Sequence, residues 1–110
     1  MAKTLQHQII EGALHLLSEE EHWTRCSLAR NSEGEPCSVW DPEAVRFCAV
    51  GAMWRAAYEL TGDLDVFSLV DDIAKKILLS NGCADSMQTH NDLKGHAAVA
   101  QMFQKALADL

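Results

Sequence analysis

Apolar residues recur at helical spacing through most of this chain. Near the start, Leu5, Ile9, Ala13, Leu16 and Leu17 fall on one stripe, which predicts a helix over about 4–18 with Thr4 as its N-cap. The run SEEEH at 18–22 is a polar exit, and acidic side chains near a helix C-terminus oppose its macrodipole. From His22 to Asp41 the pattern lapses. Two short runs there flank the turn-forming NSEGEP, which predicts a small β-hairpin or an ordered loop. An isolated hairpin is marginal in water, so Trp23, Leu28, Val39 and Trp40 are the expected anchors onto the helices.

A second helix is expected to open at Asp41, with Pro42 in its first position and Glu43 in its first turn, and to close at Gly62. Val45, Cys48, Ala49, Ala52, Ala56 and Leu60 trace its inner face. Gly51 interrupts that face. A mid-helix glycine costs about 1 kcal/mol relative to alanine, so its presence points to another backbone or a ligand close by.

A third helix, about Leu64 to Leu79, is expected to start at Asp63 or Asp65 and to finish at Asn81-Gly82. It would bury Val66, Val70, Ile73 and Ile77, with Phe67, Ala74 and Leu78 beside them. A fourth, from Lys94 or Gly95 onward, presents Val99, Met102, Phe103, Ala106, Leu107 and Leu110. The expected fold class is mainly α: a single domain over residues 1–110, made of four helices with a short β-hairpin or ordered loop between the first two.

Charge narrows the partners. Sixteen acidic residues against nine basic ones give a net charge of −7, which repels phosphate backbones, and the basic residues form no cluster that would override it. No nucleic-acid partner is expected. The opening MAKTLQHQIIEGALHLL lacks the unbroken apolar core of a signal peptide, and no run approaches the length of a membrane span. A cytoplasmic protein without a membrane partner follows as the expectation. In that compartment Cys26, Cys37, Cys48 and Cys83 are expected as reduced thiols, and their spacing matches no zinc template.

Trp23, RFCAVGA at 46–52, Asn91-Asp92 and the closing VAQMFQKAL together resemble an uncharacterised bacterial family of small helical proteins, a domain of unknown function. The resemblance runs from Trp23 to Leu107, with His90 standing where an aromatic residue is expected. It implies that Arg46, Cys48, Gly51, Asn91 and Asp92 belong together as a binding or structural site. It implies no activity, substrate or cofactor.

THNDLKGH at 89–96 gathers the polar chemistry. In one reading Asn91 or Asp92 caps the last helix and Gly95 makes the tight turn before it. In the other, His90, Asp92 and His96 ligate a metal ion, with Cys83 as a distant fourth donor, although the spacing fits no standard motif. A thiol nucleophile would need Cys26 beside Arg25, or Cys48 near Asn91, Asp92 and His96. Arg46 is expected to turn inward and form a partly buried ion pair with Asp92.

The function expected from these features is a small intracellular interaction or regulatory module, with no cofactor. It would act on a protein partner through its surface, and Trp40, Trp54 and Tyr58 suggest a homodimer. The competing class is a small metal- or thiol-dependent enzyme or ligand-binding protein using the 89–96 loop.

Overall fold

Thr4 Oγ1 accepts the His7 amide and so opens α1, Leu5–Leu16, at the residue its side chain favours. The structure, a computed structural model, describes residues 3–83 and 86–109. After α1 come a 3-10 turn at Glu20–His22, β1 (Ala29–Arg30), β2 (Arg46–Phe47), α2 (Ala49–Thr61), α3 (Phe67–Ser80), α4 (Met87–Lys94) and α5 (His96–Asp109). The protein is mainly α, with one antiparallel two-stranded ribbon.

Five α-helices stand among the described residues where the apolar pattern implies four. The additional one is α4, whose sequence MQTHNDLK carries no apolar stripe. Its start is made by Ser86 Oγ, which accepts the Thr89 amide, and it ends at Gly95 with φ 92° and ψ −179°. That backbone conformation is open essentially to glycine alone. The chain therefore turns at Gly95 and α5 begins at His96.

α2 also departs from expectation, beginning at Ala49 and not at Asp41. Asp41 does accept the Glu43 amide, but the result is a turn, closed by the Ala44 amide on the Asp41 carbonyl. Strand pairing then takes the chain. The Val45 amide donates to Arg30, and Phe47 and Arg46 stand opposite Ala29 and Arg30. Local helix signals lose here to a ladder formed with a distant segment. The ribbon thus closes on the residues that enter α2, while NSEGEP forms a turn tied by Asn31 Oδ1 to the Glu33 and Glu35 amides and by a bridge between Arg30 and Pro36.

The C-terminal end of α2 follows its signal, with Gly62 left-handed at φ 72°. α3 starts just after the expected aspartates, because Asp63 Oδ1 accepts the Asp65 amide and shapes the turn ahead of the helix.

Ile9, Ile10, Ala13 and Leu17 of the first segment meet Ala52, Met53, Ala56 and Ala57 of α2, and Val70, Ile73, Ile77, Val99, Met102 and Phe103 complete one shared core. α1 and α2 approach closely at Gly12, where a Cβ would lie 3.0 Å from that of Ala56. Leu5, Val45, Leu60 and Phe67, expected on inner faces, are exposed. Leu110 lies outside the described residues.

Candidate functional site

α4 is mostly polar, yet besides Met87 it inserts a polar side chain fully into the interior. Asn91 is 0% exposed and uses its whole hydrogen-bonding capacity. Its Oδ1 accepts from Trp23 Nε1 at 2.7 Å and from the Ala49 amide at 2.9 Å. Its Nδ2 donates to the Thr24 carbonyl at 3.1 Å and to Asp92 Oδ1 at 3.0 Å. One amide thus joins the loop after α1, the N-terminus of α2 and its own helix.

The N-terminus of α2 is capped twice. Asn91 takes the Ala49 amide, and Cys48 Sγ accepts the Gly51 amide at 3.3 Å. The Cys48 amide donates to the Leu28 carbonyl at 3.2 Å, which draws that loop backbone onto the helix. Gly51 permits the approach: a Cβ there would lie 1.9 Å from the Leu28 oxygen. The neighbour its sequence position called for is therefore a loop backbone.

Asp92 continues the network outward. Its Oδ1 also accepts the Cys26 amide at 3.0 Å, holding Cys26 at φ 64°, in the left-handed region. Arg25 lies over the Trp23 ring at 4.9 Å, and the His96 ring sits 6.4 Å from the same indole. His96 Nε2 meets the Leu17 carbonyl; a carbonyl only accepts, so this nitrogen carries the proton.

Cys48, Gly51, Asn91 and Asp92 therefore come together, and Arg46 does not join them. Arg46 is exposed, and no ion pair links it to Asp92 among the described residues. The expected Arg46–Asp92 pair is corrected by strand geometry: Phe47 turns into the core, so its neighbour on the strand points out. The arginines that do bind the interior are Arg30 and Arg55. Arg30 donates to Thr24 Oγ1 and the Gly34 carbonyl, and Arg55 to the Val39 and Asp41 carbonyls and to Glu59. Arg30 is held within its own hairpin region, and Arg55 is held by Glu59 one turn on and by the Val39 and Asp41 carbonyls, which no sequence pattern announces.

Asn91 and Asp92 do not cap the last helix. They lie inside α4, and Asn91 caps α2 across the core.

The family model for DUF6197, a family of unknown function, matches residues 1–109. The chain belongs to that family. No curated protein and no solved structure matches it.

In this DUF6197 chain the histidines of THNDLKGH go separate ways. His90 Nδ1 lies 3.7 Å from Cys83 Sγ beside a cavity of about 210 Å³, while His96 is held at Leu17. His90, Asp92 and His96 are thus not gathered round one point. The described residues whose donor atoms do converge closely enough for a metal ion are Glu19, Glu21 and His22, at and just before the 3-10 turn. Burial pushes the Cys48 thiol up, amide hydrogen bonds from Gly51 and Val50 offset part of this, and Asp92 adds to it. A thiol held protonated is a hydrogen-bond partner here and a poor nucleophile.

A second feature carried no motif. Trp40 and Trp54 meet with ring centroids 6.3 Å apart, and Phe67 lies 5.7 Å from Trp54. Phe67 is 56% exposed and Trp40 39% exposed, with Leu60 and Leu64 exposed as well.

Proposed function

We propose that this protein is a small intracellular interaction or regulatory module that works through the aromatic face formed by Trp40, Trp54 and Phe67. The exposure of Trp40 and Phe67 on either side of the half-buried Trp54 supports the reading. Aromatic side chains of this size stabilise a fold chiefly when buried, and a cluster left open to water is typical of a surface that meets a partner. The Asn91 network supports it from the other side, because its polar groups are engaged with one another and serve to hold the loop, α2 and α4 in register.

Site-specific photocrosslinking in cells tests the proposal. A crosslinking amino acid at Phe67 is expected to trap one defined protein, and the same group at Leu79, also exposed but outside the row, is expected not to. The product mass separates a different partner from a homodimer, which light scattering would show independently as a doubled mass reduced by Phe67→Glu. Equal, diffuse products at both positions would count against the aromatic face.

The Cys83 and His90 pair supports a second reading, a thiol- or metal-dependent ligand site. Stoichiometric zinc on protein purified without chelator, lost in the Cys83→Ser, His90→Ala double variant, would favour it over the first.

A further inference from the structure

We propose that the cavity between Trp40 and Trp54 is a subsite for an arginine side chain carried on a basic segment of a protein partner. The inference rests on the reading of the aromatic face and names the chemistry it selects. The cavity measures about 420 Å³ and is lined by both indoles together with Pro36 and Cys37. The indole planes meet at 61°, so they form a corner and not a closed stack. Such a corner leaves aromatic surface over which a cation can sit.

The charge around it is negative. Asp41 and Glu43 act on the Cys37 thiol in the lining; burial pushes that thiol up, and both carboxylates push it further, against the opposing effect of Arg55. Arg55 is already committed, to Glu59 and to the Val39 and Asp41 carbonyls. Among the described residues Asp41 and Glu43 have no ion-pair partner. At the other end of the row, Trp54 Nε1 donates to the Leu64 carbonyl, which lies between Asp63 and Asp65. An incoming cation would therefore meet aromatic faces in a cavity whose lining feels the unpaired carboxylates of Asp41 and Glu43. Arginine fits better than lysine, because its planar guanidinium stacks on an indole while its edge donates to carboxylates.

The three tryptophan indole N–H signals in a proton–nitrogen NMR spectrum provide the test. Trp23 serves as the internal control, since its N–H is engaged by Asn91. Nα-acetylarginine amide is expected to shift the Trp40 and Trp54 signals and leave Trp23 in place. The neutral citrulline analogue is expected to bind about tenfold more weakly. The Asp41→Asn, Glu43→Gln double variant, which keeps side-chain shape and the Asp41 turn acceptor, is expected to weaken arginine binding about threefold. Equal binding of the two analogues would overturn the arginine subsite while leaving the aromatic face standing. Absence of any shift at Trp40 and Trp54, or an equal shift at Trp23, would also overturn it. Only failure of the Phe67 crosslink would remove the face itself.

Discussion

Asn91 is a single side chain on which three segments depend. Replacing it with leucine would strand the Trp23 indole N–H, the Ala49 amide and the Thr24 carbonyl in a buried site. Asn91→Leu is therefore expected to lose about 3 kcal/mol or more in denaturant unfolding, and a loss under 1 kcal/mol would mean the network is dispensable. Gly51 makes an equally sharp case. Glycine to alanine in a helix ordinarily stabilises by about 1 kcal/mol, but at Gly51 the new carbon would collide with the Leu28 carbonyl, which is backbone and cannot step aside. Gly51→Ala is expected to destabilise by about 3 kcal/mol, reversing the usual sign. Arg46→Met, at an exposed strand position, is expected to change stability by less than about 0.5 kcal/mol, and a large loss there would restore a structural role for that arginine.

Among the elements, α4 is the one held by its ends. It has no apolar stripe of its own, so Ser86 at its start, Gly95 at its finish and the Met87 and Asn91 anchors define it. Because ψ near 180° at positive φ is closed to residues with a Cβ, Gly95→Ala is expected to cost about 1–3 kcal/mol. The change should act through α4 in particular. Hydrogen exchange of the Trp23 indole, which reports on Asn91, should accelerate more than exchange of core amides in α2. Uniform acceleration across both would show that Gly95 acts only through global stability.

For the molecule as a whole, two thiols link folding to alkaline pH. Cys37 and Cys48 both lie above the ordinary thiol value of 9.0 in the folded state, chiefly through burial. The unfolded chain ionises them at the ordinary value, so their contribution is fully present below that pH and is lost as pH rises through and beyond it. Stability should fall on the alkaline side. Cys48→Ser keeps a cap acceptor without a titrating thiol, and its stability is expected to fall less steeply above about pH 9 than that of the parent protein. Parallel curves would contradict the linkage. No helix among the described residues is long and apolar enough to cross a membrane.

The helical class, the cap at Thr4, the close at Gly62 and the buried stripe of Val66, Val70, Ile73 and Ile77 were legible in the sequence by itself, because periodicity and capping are local and a residue's neighbours four places away enforce them. Gly51 likewise announced a close approach, though not what approached. Tertiary structure decided the rest. Asp41-Pro42-Glu43 reads as a helix start, yet pairing with β1 claims the following residues for a strand, and that turns Arg46 outward. Asn91 and Asp92 read as a cap for the next helix, but the amide that Asn91 captures belongs to Ala49, 42 residues earlier. Trp40 and Trp54 were suspected in the sequence of not fitting the core, but the place of Phe67 beside them was hidden for the same reason. Hydrophobicity along a chain says that a side chain favours burial, and only the packing of the other elements decides whether a place inside is left for it.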